Sequence, residues 1–216
     1  MNFAAARQTM LHSQVRPNGV TDPGILDALG AVPREAFVPE GLRRVAYVDE
    51  ELPVGHGRFV IAPMVLGRLL NAAAVRPGDV ALDLACGSGY STAVLARVAT
   101  TVVAVESDPG LAETAASVLG GLGVDNAAVE TGDPAAGYPS QAPFDVIVIA
   151  GAVRQVPNAV RHQLDGGRLV TIHQEAPGVG RGTVITRSGD AFSSVSPFDD
   201  SLPLLPEFDA PSGFVL

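Results

Sequence analysis

"ALDLACGSGY", residues 81–90, is an apolar run that breaks into two glycines one residue apart. The run reads as a buried strand. Gly87 and Gly89 read as the turn at its end, where missing side chains let the backbone bend sharply and come close to a ligand. A helix is expected to open near residues 90–92 and to turn its free N–H groups toward the same place. A second stretch, "FDVIVIAGAV" at 144–153, is equally apolar. Strands apolar on both faces belong in the middle of a parallel sheet with helices on each side.

Working outward, β-branched runs alternate with stretches of helical composition. Strands are expected at 80–85, 101–106, 127–130, 144–149, 168–172 and 182–186, with a last one near 192–195. Helices are expected at 63–74, 91–99, 109–119 and 156–164. This predicts an α/β fold with a doubly wound, mostly parallel, Rossmann-like sheet. Before residue 76 the composition turns helical, and Pro17, Pro23, Pro33, Pro39 and Pro53 cut it into short units. An N-terminal helical cap is the expectation. The 216 residues predict one domain. Residues 1–75 would be the cap and substrate-facing loop, 76–196 the cofactor-binding core, and 197–216 an extended proline-rich tail packed by its apolar residues, to which no chemistry is assigned.

The formal charge of −9 repels phosphate backbones and argues against nucleic acid as partner. Cys86 is the sole cysteine, so no intrachain disulfide can form, and a reducing compartment fits. Arg7, Gln8 and His12 interrupt the N-terminal apolar residues, so this stretch is not expected to act as a secretory signal, and no run approaches the ~20 apolar residues of a membrane span. A cytoplasmic protein without membrane association is expected.

Which nucleotide-like molecule the turn holds is decided by its neighbours. A dinucleotide fingerprint needs a third glycine three positions after the second, and Thr92 stands there. That disfavours a nicotinamide-dependent oxidoreductase. Asp83 places a carboxylate beside the turn, where it would repel a pyrophosphate and attract an ammonium or sulfonium. S-adenosylmethionine carries both. Glu106 ends the second strand where an acid can accept from the two ribose hydroxyls. Asp133 in "ETGDP" follows the third strand, within reach of an adenine amino group. Alone each is unspecific, since an acid at a strand end is commonly a turn or helix cap. The set points to S-adenosylmethionine.

Five segments, "LDALGAVPREAFVPEGL", "LPVGHGRFVIAP", "LDLACGSGYSTAVLA", "APFDVIVIAGAVRQVP" and "QLDGGRLV", together resemble the protein-L-isoaspartate O-methyltransferase family in order and spacing from about residue 26 to 170. The resemblance implies a seven-stranded methyltransferase sheet and transfer of a methyl group to the free carboxylate of an isoaspartyl residue in a protein or peptide. It places Asp83, Gly87, Gly89, Glu106, Gly132 and Asp133 on the cofactor positions, and Ala85, Tyr90, Ser107 and Ala150 complete the candidate cofactor set. Where the family's substrate segment carries a threonine and a serine, this chain has Phe59 and Ile61, while Gly55, Gly57 and Pro63 are kept. Those hydroxyls would have hydrogen-bonded a peptide and its carboxylate near the methyl donor, a site built around a polar group loses several orders of magnitude when that partner is absent, and Phe59 and Ile61 cannot replace them. Pro134 likewise replaces a usual glycine. Two alternatives stay open: another acceptor, suited to an apolar lip, or a cofactor-binding module without turnover.

Phe59, Ile61 and His56 are the candidate catalytic residues, His56 because an imidazole in the loop facing the methyl donor could orient a substrate carboxylate or act as a base. Arg58 beside it is expected to be a solvated surface arginine, although it could pair with a carboxylate in bidentate fashion. Cys86 reads as a packing residue. The backbone N–H groups of Tyr90 and Ser91 are expected to matter more than their side chains. His162 and His173 lack further ligands at metal spacing, and no metal is expected.

Overall fold

The apolar runs lie side by side in the structure, a computed structural model that describes residues 1–176 and 178–209. In chain order the elements are α1 (Phe3–Met10), α2 (Pro23–Ala31), β1 (Leu52–Gly55), β2 (Arg58–Val60), α3 (Pro63–Ala73), β3 (Val80–Leu84), α4 (Tyr90–Ala96), β4 (Thr101–Glu106), α5 (Pro109–Gly121), β5 (Ala127–Thr131), β6 (Phe144–Val153), α6 (Asn158–Arg161), β7 (Leu164–Ala176), β8 (Val179–Ser188) and β9 (Ala191–Asp199). Seven strands form one sheet in the order β5–β4–β3–β6–β7–β8–β9. The first five are parallel, and β8 and β9 add antiparallel to the end.

The two-residue side-chain period sends alternate residues to opposite faces. Ala81, Val102, Val146, Val148 and Val170 pack with residues of the N-terminal helices, α3 and α4. Leu82, Leu84, Val103, Val105, Ile147, Ile149 and Leu169 pack on the other side, against Val156, Val160, Leu205 and Phe208. Asp22 and Asp108 cap α2 and α5 by accepting from Ile25 and Leu111 amides, with Pro23 and Pro109 supplying the fixed φ of a first helical residue.

The helix expected at 156–164 shrinks to α6. The strand starts early instead, because Gly167 lets β7 close on β6, where a Cβ would fall 2.5 Å from the Asp145 carbonyl. The cap also holds a hairpin that its composition hides. β1 and β2 pair across Gly55 and Gly57, both at positive φ, with His56 between them at φ 51. The tail expected from residue 197 begins later, since Pro197–Asp199 belongs to β9, an edge strand whose register shift accommodates proline. Beyond it Leu202, Leu205 and Phe208 are buried, whereas 210–216 lie outside the described residues. Among the described residues no helix is long and apolar enough to cross a membrane.

Candidate functional site

β3 runs between β4 and β6, and the chain leaves it toward β4, so a crevice opens at the carboxyl end of β3 where the winding reverses. Ala85, Gly87 and Gly89 all adopt positive φ there, at 58°, 57° and 90°. The Ala85 amide donates to the Val105 carbonyl at 2.8 Å, which ties the turn to β4. A Cβ at Gly89 would lie 3.1 Å from that of Ala115, so this glycine also lets α5 approach.

Asp83 is wholly buried beside the turn. Its Oδ2 accepts from Ser91 Oγ and Thr92 Oγ1, both at 2.7 Å, while Oδ1 has no partner. Burial pushes its carboxyl up to about 6, and the two hydroxyl donors only partly offset this. Thr92, the residue that spoils the dinucleotide fingerprint, therefore braces the acid, and so does the Ser91 side chain, which the sequence ranks below its backbone N–H. Tyr90 turns the other way. Its ring packs edge-on against Phe37 and under the Arg34 guanidinium.

Glu106 is equally buried. It accepts from the Gly87 amide at 2.8 Å and the Asp108 amide at 3.1 Å. It also accepts from Arg58, whose Nε and Nη2 lie 2.9 and 3.0 Å from its two oxygens. Arg58 is 2% exposed, which corrects the expectation of a solvated residue. Arg58 Nη2 donates further to Glu207 at 2.6 Å and to Ser107 Oγ at 3.0 Å, and Ser107 Oγ donates to Glu207 at 2.5 Å. Burial pulls the Arg58 guanidinium down, but its bonds to Glu207 and Glu106 carry it above its ordinary value. Nothing local in the sequence connects Arg58 with Glu106 and Glu207. The turn that aims it is set by the two glycines of the hairpin.

The other candidates surround this pair of acids. The Gly132 amide donates to the Glu106 carbonyl. Asp133 is exposed and caps the turn Pro134–Ala136 by accepting from the Ala135 amide at 2.9 Å. Phe59, Ile61 and Ala150 line a small apolar cavity with Ala85, Cys86 and Tyr90. Ile61 offers its carbonyl to Arg34 at 2.7 Å. His56 stands apart, its exposed ring 2.9 Å from Asp108 Oδ2. Burial holds the Cys86 thiol well above its usual range, as suits a packing residue. Among the described residues no group of three or more His, Cys, Asp or Glu side chains could hold a metal. A larger cavity of about 610 Å³, lined by Arg7, Val32, Arg97 and Leu122 among others, lies at the opposite, amino ends of the strands and touches none of these residues.

The family model described as protein-L-isoaspartate(D-aspartate) O-methyltransferase (PCMT) matches residues 6–190. The chain belongs to this family. It is 42% identical over 170 residues to protein-L-isoaspartate O-methyltransferase 1 of Rhodopseudomonas palustris (strain HaA2), covering 78% of this chain and 69% of that protein. It is also 42% identical over 193 residues to protein-L-isoaspartate O-methyltransferase of Methylorubrum extorquens (strain PA1), covering 88% and 84%. The fold is shared with a solved protein-L-isoaspartate O-methyltransferase at a TM-score of 0.82 and 22% identity, over 94% of this chain and 67% of the other. It is shared too with a Plasmodium falciparum chain solved in complex with S-adenosyl-L-homocysteine, at a TM-score of 0.75 and 19% identity, over 93% and 98%. PCMT enzymes depend on S-adenosylmethionine, and the donor set of this crevice fits that cofactor. A buried carboxylate oxygen without a partner stands ready for a cation at Asp83, beside a turn of positive-φ residues.

Proposed function

We propose that this chain transfers a methyl group from S-adenosylmethionine to the free carboxylate of isoaspartyl residues in proteins or peptides. The observation that carries the reading is the unpartnered, buried Asp83 Oδ1 beside the Gly87–Gly89 turn. In an apolar enclosure such an oxygen is costly unless a cation meets it. Asp83 would hold the ammonium of the cofactor, Glu106 the ribose hydroxyls, and Gly132 and Asp133 would border the adenine. The bound cofactor supplies an electrophilic methyl group on a neutral leaving group. A carboxylate acceptor is already ionised at neutral pH, so the protein's task is alignment and exclusion of water, and no general base is required. Phe59, Ile61 and Ala150 would wall the position where the acceptor oxygen meets the methyl group. Their apolar character supports a second reading, an acceptor with an apolar body beside its nucleophile.

The test is mass spectrometry of an isoaspartyl peptide incubated with the protein and saturating cofactor, with Asp83→Ala as control. A gain of one methyl ester that depends on Asp83 is expected. No ester above background refutes the isoaspartyl reading, and methyl transfer to other acceptors in a lysate fraction would then favour the second.

A further inference from the structure

We infer that the segment 203–208 is a built-in lid over the cofactor crevice, latched by Glu207 through Arg58 onto Glu106; this rests on the cofactor reading above. The strand order places β3 between β4 and β6. The segment touches both neighbours. Glu207 meets Ser107 at the end of β4. The Leu205 amide donates to the Ala152 carbonyl at 2.9 Å, and the Ala152 amide donates to the Pro203 carbonyl at 3.2 Å, at the end of β6. A chain that touches both must cross the exit of β3, where the Gly87 turn lies. It is closely seated there, since a Cβ on Gly151 would fall 2.6 Å from the Leu205 side chain, and one on Gly57 would fall 3.3 Å from Pro206. The turn Pro206–Phe208 also contacts the turn Pro134–Ala136 that follows β5.

The site beside the turn leaves little room for a ligand, although none of the residues that line its cavity belongs to the segment. The cavity bordered by Phe59, Ile61, Cys86 and Ala150 measures about 10 Å³, room for about one water, whereas small-molecule sites run to roughly 300 Å³ and more. Glu106 has no acceptor capacity left for a sugar. A carboxylate has about four lone-pair sites, and the Gly87 and Asp108 amides together with Arg58 Nε and Nη2 occupy them. The two amides belong to fixed backbone. Ser107 Oγ, 3.3 Å from Glu106 Oε1, gives its one proton to the closer Glu207, so it is the two guanidinium bonds that exchange for the two hydroxyls of a ribose, and entry of the cofactor displaces Arg58 and with it Glu207. The closed state also leaves Arg58 Nη1, Asp83 Oδ1 and Glu207 Oε2 buried without partners, which keeps it only moderately favourable.

The test uses the full chain and its Glu207→Gln variant, with S-adenosyl-L-homocysteine as probe. Calorimetry is expected to show the variant binding about tenfold more tightly, because the ion pair that ties Arg58 to the segment is gone and Arg58 can leave Glu106 without lifting it. Hydrogen exchange of the unaltered chain is expected to speed up at the Leu205 and Ala152 amides when the probe saturates. Ligands ordinarily slow exchange by stabilising the folded state, so acceleration confined to these amides marks departure of the segment. This readout stands even if the variant folds poorly. Equal affinities with slowed exchange at Leu205 overturn the lid and leave the cofactor reading intact. Absence of probe binding by either protein overturns both.

Discussion

Replacing Asp83 with Asn should stabilise the free protein and weaken its hold on the cofactor. The carboxyl is wholly buried and titrates at about 6 against an ordinary 3.8. A group whose folded value is raised binds its proton more tightly in the folded state, so stability falls as pH climbs from the unfolded value through the folded one. The gap corresponds to about 3 kcal/mol lost at neutral pH, with roughly half of that loss already present at pH 5. An Asn keeps the acceptor that Ser91 and Thr92 use and never ionises. Its buried amide N–H pair costs part of the gain, but equally at every pH. The decisive quantity is therefore the difference in melting temperature between variant and parent, which should be several degrees larger at pH 7.5 than at pH 5, at about 2–4 °C per kcal/mol for a chain of this size. Binding should move the opposite way. The parent must lose a proton to hold a cation, so its affinity for S-adenosylmethionine should drop about tenfold per pH unit below 6. The variant should bind at least about tenfold more weakly at pH 7.5 and show no such slope. A melting difference that does not change with pH, or equal affinity of parent and variant, would refute the reasoning.

Three further outcomes follow from the same geometry. The Cys86 thiol should resist iodoacetamide at pH 8 in the folded chain and react once denaturant is added; rapid labelling of the folded chain would show that burial does not govern it. Arg34→Lys should lower stability by about 3 kcal/mol, read as a drop in thermal midpoint, because one ammonium cannot reach the carbonyls of Ala46, Glu50, Val60 and Ile61 that the buried guanidinium satisfies; an unchanged midpoint would deny this role. The double substitution Phe59→Thr with Ile61→Ser should raise ester formation on an isoaspartyl peptide by an order of magnitude or more relative to the parent. No gain in a folded double variant would place the acceptor elsewhere.

The sheet was legible because its signal is local and periodic. β3 and β6 carry apolar residues on both faces, and only a central parallel position buries them all. The acids Asp83 and Glu106 were legible for a related reason, since a carboxylate at the tip of a buried strand is out of place without a partner. What the sequence hid is long-range. Arg58 lies 48 residues from Glu106 and 149 from Glu207, and no spacing rule joins them. Composition favoured a solvated side chain for it, and the positive-φ turn of the hairpin overrode that preference. Thr92 was visible as a missing glycine, yet its bond to Asp83 could be seen only once α4 was wound. The apolar residues of the tail were read as packing, and Leu205 and Phe208 do pack, but the crevice they cover depends on where β9 delivers the chain.

The two buried acids differ in how they are left by the free protein, and the difference sorts their roles. Glu106 has every acceptor site filled and an arginine as counter-ion; Asp83 has half its capacity unused and no cation beside it. Removing Arg58 alone from Glu106 would strand a buried charge, a loss of the order of 3–5 kcal/mol. Hydroxyl donors that take the guanidinium's place on Glu106 would spare it that loss, while the tie from Arg58 to Glu207 means that the segment has to lift when Arg58 leaves. A cation that meets Asp83 at the same moment recovers the approximately 3 kcal/mol held in its raised titration. Entry of one molecule bearing both an ammonium and a vicinal diol thus settles both acids together. A ligand bearing only one of the two would leave either Asp83 uncompensated or the lid closed. Adenosine and methionine, supplied separately, should therefore bind far more weakly than S-adenosyl-L-homocysteine, and calorimetry that found either fragment within tenfold of the whole would break the coupling.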